Sequence, residues 1–78
     1  MSKQLQALRQ RHPEKIHAAY RDQDGVWIEF HPGWMNMITE THAIHEDTVR
    51  EALAAWKWTR RCSCEWCVKA APSTLVEG

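Results

Sequence analysis

No stretch of this 78-residue sequence is apolar for long enough to cross a bilayer. Its opening segment, MSKQLQALRQRH, lacks the apolar centre of a secretory signal, so a cytoplasmic protein with reduced or metal-bound cysteines is expected. The cysteines number three and cannot all pair within one chain, which argues against a disulfide framework. Net charge is missing too. Ten Lys and Arg balance ten Asp and Glu, whereas a protein living mainly on phosphate contacts would be basic. There is no internal repeat and no low-complexity block. At this length one domain with a small core is expected over residues 1–69, near the size at which metals or oligomerisation supplement burial. The patternless end, AAPSTLVEG (70–78), reads as a mobile tail.

Catalytic signatures are also wanting. His42-Ala43-Ile44-His45-Glu46 is neither H-E-x-x-H nor its inverse. Cys64-x-x-Cys67 has neither the preceding proline and upstream H-x-E of the zinc deaminases nor the strand-then-helix setting of a thioredoxin-like pair. A domain this small rarely encloses a pocket. The expectation is a protein that is not an enzyme.

What the sequence does have is a helix signal running into a cysteine cluster. Thr48-Val49-Arg50-Glu51 fits a capping box, with Glu46 and Asp47 at the positive end of the helix dipole and Lys57, Arg60 and Arg61 at the other. At about 100° per residue, Val49, Ala52, Leu53 and Trp56 form one stripe that needs a partner layer. A helix over about 48–59 follows. Trp58 falls on the opposite side, so either the helix frays near Lys57, or the cysteine segment folds over Trp58, or Trp58 is an exposed anchor for a partner.

Upstream, 16–20 and 26–30 alternate as strands around Asp22-Gln23-Asp24-Gly25, a three-residue hairpin turn with glycine in the left-handed region. Pairing Tyr20 with Ile28 places Ile16, Ala18, Tyr20, Val26, Ile28 and Phe30 on one face, to pack on Val49, Leu53 and Trp56. The other face then carries His17, Ala19, Trp27, Glu29 and His31. Pro32-Gly33 breaks the second strand. Residues 34–37 are a loop plug or a rim of apolar contacts, and a short third strand is expected near 40–45. Residues 2–10 form a short helix capped by Ser2, with Leu5 and Leu8 on one side and Pro13 beyond its end. The fold class is α+β: a small antiparallel sheet packed on one helix, with a short N-terminal helix.

Cys62-Ser63-Cys64-Glu65-Trp66-Cys67 is the one chemical cluster. Thiolates at C-x-C-x-x-C spacing converge on one ion, and zinc takes four such ligands, so the fourth must be a histidine. At about 1.5 Å per residue the helix carries the cluster roughly 15–18 Å from His45, which excludes it. A helix antiparallel to the third strand favours His31 as the fourth ligand, then His17 or His42. The competing reading is three reduced thiols without a metal.

Charge is spread unevenly. Residues 1–21 hold five Lys and Arg against one Glu, residues 22–55 hold seven acids against Arg50, and residues 56–69 hold four Lys and Arg against Glu65. Five tryptophans exceed what so small a core can bury, so a surface with Trp27, Trp34 and Trp58 is expected to bind a protein. Interleaved Trp58, Arg60, Arg61, Trp66 and Lys69 could instead stack on bases and grip phosphate, though no RRM, KH, helix-turn-helix or two-pair zinc finger motif is present. A third alternative is a thiol redox or metal-handling protein using Cys62, Cys64 and Cys67.

The succession Gly25-Val26-Trp27-Ile28, Pro32-Gly33-Trp34, Ile44-His45-Glu46-Asp47-Thr48, Glu51-Ala52-Leu53 and Cys62-x-Cys64-x-x-Cys67 resembles that of small proteins of tailed phages and prophages. The likeness covers residues 20–67, about two thirds of the chain. It implies an accessory protein made inside a bacterial host, of a kind that often binds and blocks a host protein, defence machinery included. No activity is implied by it.

Overall fold

The structure is a computed structural model and describes residues 2–70. Helix α1 (Lys3–Arg11) begins as expected: the Ser2 side chain accepts the amides of Gln4 and Leu5 at 3.2 and 3.3 Å. Nine residues make a marginal helix in water. Burial of Leu5 and Leu8, about 1.5–3 kcal/mol each, is what holds it.

Strands β1 (Ile16–Asp22) and β2 (Gly25–Phe30) form a hairpin at the expected place, but Asp22 pairs with Gly25, so the loop is the two residues Gln23 and Asp24 rather than three. Strand β4 (Ala43–Glu46) joins the far side of β2, giving the antiparallel order β1-β2-β4. Asp22 Oδ1 accepts the Asp24 amide at 2.8 Å to shape the turn. Gly25 takes φ +131°, and a Cβ there would stand 2.6 Å from the Glu46 carbonyl oxygen, so the position tolerates only glycine.

The register differs from the simple alternation. Tyr20 pairs with Trp27 rather than Ile28, Ala19 lies opposite Ile28, and Ile16 opposite Phe30. An irregularity between Ile16 and Ala18 absorbs the extra residue. Such a bulge changes which side chains face the core. The shorter turn shifts the pairing by one, so Ala19 packs inward and Tyr20 turns to the other face, where its hydroxyl donates to Glu29 Oε2 at 2.6 Å, and the bulge then returns Ile16 to the core. That bond to a carboxylate pushes the phenol up to about 12.

Helix α2 (Val49–Trp56) starts where Thr48 Oγ1 accepts the Glu51 amide at 3.1 Å, and the same hydroxyl donates to Glu51 Oε1 at 3.1 Å. Ala52 is buried, while Val49, Leu53 and Trp56 pack against the core as the stripe predicts. The helix ends three residues earlier than the expected 59. Lys57 and Trp58 turn the chain into β5 (Thr59–Arg61), which pairs antiparallel with β3 (Trp34–Asn36) as a second, two-stranded sheet. Residues 34–36 are thus a strand, not a loop plug. A third helix, α3 (Glu65–Ala70), follows Cys62 and Cys64 and carries Cys67; it includes Ala70, and the rest of the expected tail lies outside the described residues.

The result is an α+β fold. Its apolar core is Leu5, Leu8, Ile16, Val26, Ile28, Phe30, Ile44 and Ala52, with Trp34 and Trp56 at the margin. No helix among the described residues is long and apolar enough to cross a membrane.

Candidate metal centre

Two turns build the site. At the first, Gly33 (φ +106°) lets the chain double back, and its carbonyl accepts the Cys62 amide at 2.7 Å, extending the β3–β5 pairing by one bond. At the second, the buried Asn36 organises residues 36–41. Its Oδ1 accepts the amides of Ile38 and Thr39 at 3.0 and 3.2 Å, and its Nδ2 donates to the Ala55 carbonyl at 3.2 Å. The Asn36 amide also reaches the Thr41 carbonyl at 2.9 Å, with Glu40 in the left-handed region at φ 58° between them. This turn delivers His42, whose carbonyl accepts the Phe30 amide at 3.1 Å, to the side of β3 where Cys62 arrives.

His42, Cys62, Cys64 and Cys67 consequently meet, with their four ligand atoms all within 4.8 Å of one another. His42 Nε2 lies 3.5 Å from Cys62 Sγ and 3.6 Å from Cys64 Sγ. Zinc bonds of about 2.3 Å to sulfur and about 2.0–2.1 Å to nitrogen, opened to the tetrahedral angle, give sulfur–nitrogen edges of about 3.5–3.6 Å. The two His42 distances match sulfur–nitrogen edges of such a tetrahedron, and three thiols with one imidazole are a donor set zinc accepts. These four residues can hold a metal ion.

The surroundings treat the sulfurs differently. The Cys67 amide donates to Cys64 Sγ at 3.4 Å, and this bond leads the effects that hold the Cys64 thiol down at about 6 despite partial desolvation. Cys67 is buried, and desolvation pushes its thiol up to about 11, opposed by a bond from the Gly33 backbone. Amide donors onto ligand sulfurs are the outer partners that orient a metal site. Trp66 covers one side, its ring centroid 4.9 Å from that of His42.

The histidine that the structure brings to the three cysteines is His42 and not the favoured His31. The ring of His31 stands edge-on to His17 at 5.5 Å, and its amide is tied to the Lys15 carbonyl at 2.9 Å. The ranking assumed that the chain leaving α2 meets the end of β2 directly; the unforeseen β5 carries it instead along β3 to the residues just before β4. Asn36 was missed altogether. An Asn followed by Thr39 and Thr41 is the turn-forming pattern that signals it.

Of the residues expected to face a partner, Trp27 is half-buried and stacked on His45 with centroids 3.7 Å apart and planes 6° apart. Trp34 is also half-buried, with Lys15 Nζ 4.5 Å and the Arg61 guanidinium 5.0 Å from its ring centroid. Neither is a free anchor. Trp58 and Trp66 are exposed, at 38% and 52%. Arg60 turns back on its own backbone, donating to the Lys57 and Thr59 carbonyls at 3.2 and 2.9 Å, and Lys69 pairs with Glu65 at 3.0 Å.

Comparison with protein-family models, with curated proteins and with solved structures gives no match.

Proposed function

We propose that this chain is a non-enzymatic, zinc-stabilised module that docks on a protein. One observation carries the reading. Among the described residues, the exposed large apolar side chains are Met37, Ile38, Trp58, Trp66 and Val68, drawn from the turn after β3, the link between α2 and β5, and α3. The Met37 amide bonds the Trp58 carbonyl at 2.9 Å, so two of them sit side by side. Exposed aromatic and aliphatic side chains set next to one another in this way are a mark of a protein contact site.

Zinc held by Cys62, Cys64, Cys67 and His42 supplies structure and no open coordination position, the pattern of a closed structural site. The resemblance to small phage and prophage proteins supports a cytoplasmic setting with a host protein, defence machinery included, as the partner. A nucleic-acid surface has less support, because Arg60 and Arg61 are engaged within the chain and Met37, Ile38 and Val68 offer phosphate nothing. Thiol redox chemistry competes for the same sulfurs that the metal occupies.

The test is recovery of a defined partner from bacterial lysate by the wild-type protein and by a Trp58→Glu, Trp66→Glu double variant of unchanged melting temperature. Capture by the wild type alone supports the reading. Equal capture by both, or recovery of nucleic acid only, contradicts it.

A further inference from the structure

The apolar core and the cysteine cluster belong to different parts of the molecule. Every buried side chain of that core comes from α1, β1, β2, β4 or α2, and none from β3, β5 or α3. The β3–β5 pair has other holds: its own ladder, and Asn36 Nδ2 on the Ala55 carbonyl of α2. Helix α3 is different. Of its six residues only Cys67 is buried. Its other hydrogen-bonded and ionic ties are local, the Val68 amide to the Cys64 carbonyl at 2.9 Å and the exposed Lys69–Glu65 pair. Six residues are far below the length that sustains a helix alone in water, and an exposed ion pair contributes little. The grip of α3 on the body is Cys67, with the Trp66 ring against His42 beside it.

We propose that metal ligation by Cys64 and Cys67 is what folds the 63–70 segment onto a body that is already folded without it, so that the Trp66 and Val68 part of the docking surface exists only in the metal-loaded chain. This rests on the zinc reading above. Metal binding and folding are linked wherever the ligands are brought together only in the folded form. Here the linkage is confined to one end of the chain, because the eight-residue apolar core keeps the β1-β2-β4 sheet, α1 and α2 together by itself. Partner docking is then gated by metal supply.

The experiment is hydrogen exchange on the intact zinc-loaded protein, its zinc first verified by native mass spectrometry, with and without excess chelator. Stripping is expected to speed exchange at the Val68 and Lys69 amides about tenfold or more, and to change Val26, Ile28 and Ile44 by less than about twofold. Unaltered protection at Val68 and Lys69 in the stripped protein overturns the inference. So does an equal loss across the sheet, since the metal would then belong to one cooperative unit. Failure of the underlying zinc reading looks different: the chain carries no zinc in the mass spectrum before any chelator is added.

Discussion

His42 and Cys62 are twenty positions apart, yet His42 Nε2 stands 3.5 Å from Cys62 Sγ. The β3–β5 pairing and the Asn36 turn create that proximity, and they single out one histidine of five. Replacing His42 by Ala should weaken zinc binding by about 100-fold or more, given that losing outer partners alone costs about 10–100-fold. His31→Ala should leave affinity unchanged. Competition with a chromophoric chelator reads both, and equal affinity for the two variants would reject His42 as a ligand.

Asn36→Ala should harm both fold and site. It deletes a buried side chain together with its part-buried bonds from the Ile38 and Thr39 amides and to the Ala55 carbonyl. A loss of about 2 kcal/mol in urea unfolding is expected. Zinc affinity should drop as well, by about tenfold, because the turn that presents His42 loosens. A variant with unchanged urea midpoint and affinity would show that the turn holds itself.

Thiol reactivity should be ordered wherever the cysteine segment is in the folded form described above, and should level out across the three thiols in stripped protein where that segment is released. Cys64 is exposed and held down at about 6, so at neutral pH it is mostly thiolate. Cys67 is buried and pushed up to about 11. Alkylation followed by peptide mass mapping should find Cys64 modified first and Cys67 last. Modification of Cys67 ahead of Cys64 would contradict the placement of both sulfurs.

The single tyrosine gives a pH test away from the metal. Its folded pKa is raised from 10.0 to about 12 by the Glu29 bond, so the folded state holds the proton more tightly than the unfolded chain. The stabilisation is complete below pH 10 and drains away as pH climbs through about 12. Phenolate absorbance should titrate late in the wild type and nearer the ordinary value in Glu29→Ala. A wild-type midpoint near 10.0 while the protein remains folded would remove the bond.

The parts legible in the sequence are those where one local rule decides. Ser2 and Thr48 cap their helices, Leu5 with Leu8 and the Val49–Trp56 stripe face inward, and Gly25 closes the hairpin. The bulge beside His17 was not legible, because alternation alone cannot reveal an inserted residue. Strands β3 and β5 are three residues each, too short to show a period, and Lys57-Trp58 continues a helical composition past the helix end. The three cysteines were evident as a ligand set. Their histidine depended on the β3–β5 pairing, a contact between segments distant in sequence, and so went to His31 first.

Native mass spectrometry of the intact chain tests the central claim most directly. The account predicts one zinc per wild-type chain, lost on chelation and absent from a Cys62→Ser, Cys64→Ser, Cys67→Ser variant. A wild-type chain that stays at its metal-free mass in the presence of zinc, or a triple-serine variant that keeps the ion, would contradict it.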